Sequence, residues 1–163
     1  MENFVRIFQS STGDVYHITL SEGHNVLSSE TIEALKDVGV IGIELRRLAG
    51  RNATGQEVLA AIEGTIAEYF TSHENSIICY YCDFINPIPR TKKNSMPPQQ
   101  YRSLLFDRMF QRYTKQHGIN DVRLSVVEIT GIDEKYYFHV IYREEHSLLA
   151  SLIGHDLKEG FDK

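Results

Sequence analysis

SIICYYCDFINPIPRTKKNSMPPQQYRSLLFDRMFQRYTKQ, residues Ser76 to Gln116, decides how this chain folds. Ile77 to Phe84 is apolar almost without interruption, which predicts a strand covered on both faces or central in its sheet. All four prolines (Pro87, Pro89, Pro97, Pro98) then fall close together. They predict a Pro-rich basic surface loop over 86–98 and a helix that starts at about Pro98 and runs to Gln116. Proline suits a first helical turn because its missing N–H would be unpaired there anyway.

Working back toward the N-terminus, Thr54-Gly55-Gln56-Glu57 has the capping-box spacing, in which hydroxyl and carboxylate each satisfy an orphan backbone donor. Behind it Val58, Leu59, Ile62, Ile66, Tyr69 and Phe70 recur at helical spacing to about Thr71, so this second long helix packs by one face. Val40 to Leu45 alternates as a strand. Ser29 is the expected cap of a short helix over Glu30–Asp37, with Gly39 as its left-handed stop. Phe4–Phe8 and Val15–Leu20 flank turn residues and predict a hairpin. Working forward, Val122–Ile129 and Tyr136–Tyr142 flank Thr130 to Lys135 as a second hairpin. Leu148, Leu149, Leu152, Ile153 and Leu157 predict a short C-terminal helix.

Strands therefore arrive in pairs as well as alternating with helices, which excludes a purely parallel sheet. The expected fold is α+β: a mainly antiparallel sheet of about six strands, with two long helices packed on one face and a short C-terminal helix. The 163 residues are read as a single domain, 1–163, a size able to bury a core without disulfide or metal. No apolar run of about 18 residues and no signal-like start occur, so no membrane association and a cytoplasmic location are expected.

Charge is uneven along the chain. Between Phe84 and Gln116 there are Arg90, Lys92, Lys93, Arg102, Arg108, Arg112 and Lys115 against Asp107 alone. This +6 segment leaves −11 for the remainder of a chain whose net charge is −5. Arg90, Lys92, Lys93, Arg108, Arg112 and Lys115 form the candidate surface for an anion or an acidic partner. The acidic balance, pI 5.8, argues against generic nucleic acid, so the expected partner is a protein. A homo-oligomer is left open.

On the long helix, Leu105, Phe106, Met109, Phe110 and Tyr113 make the apolar stripe, and Arg102 projects near its middle. Gln100, Ser103, Asp107, Gln111 and Thr114 fall on the wet side. A buried guanidinium needs a carboxylate, and Asp83 is the nearest acid; the alternative is that Arg102 snorkels to water. Both readings stand at this point. Cys79 and Cys82, three apart on a strand, point to opposite faces and so read as inert thiols. The histidines lack metal-ligand spacing, and no nucleotide fingerprint or nucleophile elbow is present. No metal site and no cofactor are expected.

Tyr81-Cys82-Asp83 followed by Arg102-Ser103-Leu104-Leu105-Phe106-Asp107-Arg108-Met109-Phe110 resembles a family of small Bacteroidetes proteins of unknown function. In that family a strand ending in Cys-Asp precedes an Arg-Ser-x-Leu-Phe-x-x-aromatic-Phe helix. The resemblance spans most of the chain. It departs in the longer proline-rich loop and in Met109, where an aromatic is usual. It implies that Asp83 and Arg102 act as a unit, and implies no reaction. The expected function is a non-enzymatic interaction or regulatory module. The alternative is a small enzyme or nucleotide- or anion-handling protein with a polar pocket near Asp83, Arg90 and Arg102.

Overall fold

A computed structural model describes residues 4–23, 27–51, 56–82 and 96–161. In order these are β1 (Phe4–Gln9), β2 (Val15–Glu22), α1 (Ser29–Leu35), β3 (Gly39–Ala49), α2 (Gln56–Ser72) and β4 (Ser76–Cys82). They are followed by α3 (Pro98–Gln116), β5 (Val122–Thr130), β6 (Lys135–Arg143) and α4 (Ser147–Phe161). The strands form one sheet in the order β1-β2-β3-β4-β6-β5. Every neighbouring pair is antiparallel except β3 and β4. The fold is α+β, as its strand and helix order predicts.

The apolar run in β4 is explained by its place. It lies between β3 and β6, and its alternate residues enter two different cores. Ile78 and Tyr80 join Ile18, Leu20, Ile41, Ile62, Phe70, Phe106 and Met109 under α2 and α3. Ile77, with Cys79 and Tyr81 packed alongside, joins Val127, Phe138, Val140, Ile153 and Leu157 under α1 and α4. Parallel pairing of β3 with β4 requires a crossover, and α2 supplies it.

The expected C-terminal helix is present as α4, which covers 15 residues and lies on the face opposite the two long helices. Ala150, Ile153 and Leu157, three and four apart, bury against β5 and β6, while Leu148 is left exposed. The cap of α1 is Ser28, not Ser29. Ser28 is extended, its Oγ accepts from the Thr31 N–H at 3.2 Å, and its own N–H donates to Asp156 Oδ2 at 2.8 Å. The left-handed residue after α1 is Lys36 (φ 46°), and Gly39 instead opens β3. The Thr54 part of the capping box lies outside the described residues.

The first hairpin is locked by a buried acid. Asp14 accepts from the Thr12 hydroxyl at 2.9 Å and from Arg47 Nη1 at 3.0 Å. Gly50, at φ 96°, lies so close that a Cβ there would fall 1.8 Å from Asp14 Oδ1. Only glycine allows both that dihedral and that approach.

Candidate functional site

Helices α2 and α3 cross the same sheet face without closing fully on each other. Between them, over β4, β6 and β5, lies a cavity of about 260 Å³. Its walls are Ile66 and Phe70 from α2, Phe106, Met109 and Phe110 from α3, and Tyr80, Leu124 and Ile141 from the sheet. Glu63, Thr71, Thr114, Asp121, His139 and Arg143 bring polar groups to this otherwise apolar lining.

His139 sits on the floor of the cavity, 2 % exposed. Its place follows from strand parity, because His139 and Ile141 share the β6 face turned toward α3. Its Nε2 lies 2.8 Å from Ser103 Oγ, and the Phe106 ring meets its edge with centroids 6.4 Å apart. Burial lowers its pKa to about 4, against the opposite pull of Asp107, so the ring is neutral near pH 7. Among the described residues its Nδ1 has no hydrogen-bond partner. Ser103 is buried, not on the wet side of α3 as its helical projection suggested; its hydroxyl is tied to His139. A Ser–His pair at this distance has nucleophile–base geometry. Here, however, the serine is only 5 % exposed and does not line the cavity, so the pair braces α3 against β6.

Glu63 reaches the cavity from α2. One of its carboxylate oxygens is buried with no partner, and burial raises its pKa despite Arg112 and His117 nearby. Arg143 is already committed. Its Nη1 donates to the carbonyls of Glu74 (2.7 Å) and His73 (3.3 Å), its Nη2 donates to the Phe70 carbonyl, and the guanidinium lies 4.6 Å from the Phe70 ring centre. Those carbonyls are at the C-terminal end of α2, so Arg143 caps that helix.

The residues singled out by sequence are distributed otherwise. Arg102 is buried at 7 % exposure, which overturns the snorkelling alternative, and it does not line the cavity. Asp83, Arg90, Lys92 and Lys93 lie outside the described residues. Arg108, Arg112 and Lys115 are all exposed, spaced four and three apart along one edge of α3. Cys79 is packed in the second core, where burial pushes its thiol up to about 12, so it is unreactive near neutrality. Among the described residues no group of three or more His, Cys, Asp or Glu is placed to hold a metal ion, and no helix is long and apolar enough to cross a membrane. Sequence reasoning gave His139 no part in a site, and it missed Glu63 and the cavity itself. For His139 the signal was its alternation with Ile141; for the cavity there was none, because a gap between two helices leaves no mark on either one.

Compared with family models, curated proteins and solved structures, the chain matches none.

Proposed function

We infer that this domain is a non-enzymatic binding module, and that its binding site is the cavity between α2 and α3. The observation that supports this is the cavity's chemistry: about 260 Å³ lined mainly by apolar and aromatic side chains. A concave apolar space with a few polar groups is the usual form of a small-molecule site. Catalysis has less support, since the one nucleophile–base pair at its floor presents no accessible serine. The reading extends to regulation through α3, which walls the cavity on one side and presents Arg108, Arg112 and Lys115 to solvent on another. A ligand that shifts this helix changes the cationic edge that an acidic protein partner would meet.

The test is a ligand-observed NMR screen of neutral fragments against the wild-type chain and against Ala67→Phe, which puts a ring into the cavity from α2. Fragments should bind the wild type and compete with one another, and Ala67→Phe should lose at least about tenfold in affinity for all of them. Equal binding to a folded Ala67→Phe protein would sink the assignment of the site.

A further inference from the structure

The cavity has an apolar, aromatic lining and two residues with an unengaged polar atom, Glu63 and His139, and together these limit its occupant. Rings line it from three elements, Phe70 on α2, Phe106 and Phe110 on α3 and Tyr80 on β4; they match a flat apolar body through offset or edge contacts. Fixed charge is poorly served there. Arg143 is held by the α2 carbonyls and so is not free to meet an anion, and burial raises the pKa of Glu63, which disfavours the charged carboxylate a cation would need. Moving an ion from water into such a lining without a partner is strongly unfavourable.

His139 is the polar feature of the floor. Ser103 holds Nε2, and Nδ1 has no partner among the described residues. If the serine donates to Nε2, Nδ1 carries the proton and donates; if Nε2–H donates to the serine, Nδ1 accepts. A hydroxyl satisfies either arrangement because it both donates and accepts.

We propose that the cavity takes a small uncharged phenol, with its ring among Tyr80, Phe106 and Phe110 and its hydroxyl on Nδ1 of His139. This rests on the cavity being the binding site, and it adds the ligand's class and its anchor. His139 is the specificity-determining residue, and Ser103 is a positioning residue that fixes the imidazole.

The experiment titrates the full chain with 4-ethylphenol, ethylbenzene, 4-methylbenzoate and 4-methylbenzylammonium, following backbone amide shifts and the imidazole nitrogens. 4-Ethylphenol should bind at least about tenfold more tightly than ethylbenzene, and the two ions should bind more weakly than either. The His139 Nδ1 resonance should move with the phenol and stay in place with ethylbenzene. The double variant Ser103→Ala/His139→Leu removes both partners together, so that neither is left unpaired. Whatever its absolute affinity for ethylbenzene, it should lose the preference for the phenol. Equal affinities of wild type for 4-ethylphenol and ethylbenzene would overturn the phenol and leave the cavity as a site. A preference that survives in the double variant, or an Nδ1 resonance unmoved by bound phenol, would overturn His139 as the anchor. No binding of any of the four would overturn both this proposal and the cavity reading beneath it.

Discussion

Burial turns the Ser103–His139 hydrogen bond into a pH-dependent element of stability. The folded imidazole titrates at about 4, whereas the unfolded one titrates near 6.5. Between these values the unfolded chain holds a proton that the folded chain refuses. The contribution of neutral His139 is therefore complete above about pH 6.5, falls as pH drops toward 4, and at full loss is on the order of 3 kcal/mol. Urea unfolding from pH 7 to pH 4 should show that decline in the wild type. The Ser103→Ala/His139→Leu variant should give a flatter curve over the same window. Two parallel curves would show that His139 is not the titrating group. Asp156 adds a separate loss at lower pH. Burial pushes its pKa up, but the Ser28 N–H together with the Ser28 and Thr31 hydroxyls and His155 outweigh that and hold it below 3.8.

At the scale of elements, the helices of this protein are finished by residues far away in sequence. Asp156 of α4 accepts from the backbone N–H of Ser28, the cap of α1, and Arg143 of β6 closes the C-terminal end of α2. Hydrogen bonds from a charged donor to otherwise open carbonyls contribute roughly 1.5–3 kcal/mol, so Arg143→Ala should lower stability by about 1–3 kcal/mol. Amide exchange in the last turn of α2 should accelerate more than in α3. Unchanged protection around Phe70 to Glu74 would refute the capping role. Such long-range ties also explain which parts of the structure sequence could reveal. β4 and α3 were legible because periodicity and proline placement are local. α2 was legible from its apolar stripe, and the hairpins from turn chemistry. The side of α3 that Ser103 occupies was not legible, because it is set by a histidine 36 residues away. α4 was legible from its apolar residues, but which of them bury was not: Leu148 reads as part of the stripe and is exposed, while Ala150, Ile153 and Leu157 are buried in the second core with Leu149 packed against it.

Across the whole molecule, one sheet separates two cores, and its central strand β4 contributes side chains to both. Ile62 on α2 and Ile153 on α4 are each 1 % exposed or less, and they lie on opposite sides of that sheet. With layers about 10 Å apart on each side of the sheet, they share no partner. Truncating either to alanine should cost about 2–5 kcal/mol, the usual range for a buried isoleucine. Two outcomes follow if the sheet makes the domain a single cooperative unit. Each variant should unfold in one transition, with fluorescence and circular dichroism giving the same midpoint, because β4 cannot lose one covered face and keep the other. The costs should also add in the double variant to within about 0.5 kcal/mol, as for independent sites. Tyrosine fluorescence is the local probe, since tyrosines are distributed across both cores and the chain has no tryptophan. Measurements at pH 7 keep His139 neutral, so its titration does not distort the comparison. A second transition in Ile153→Ala, with the α2–α3 side still folded, would show that the two cores are separable and that β4 is a seam between them.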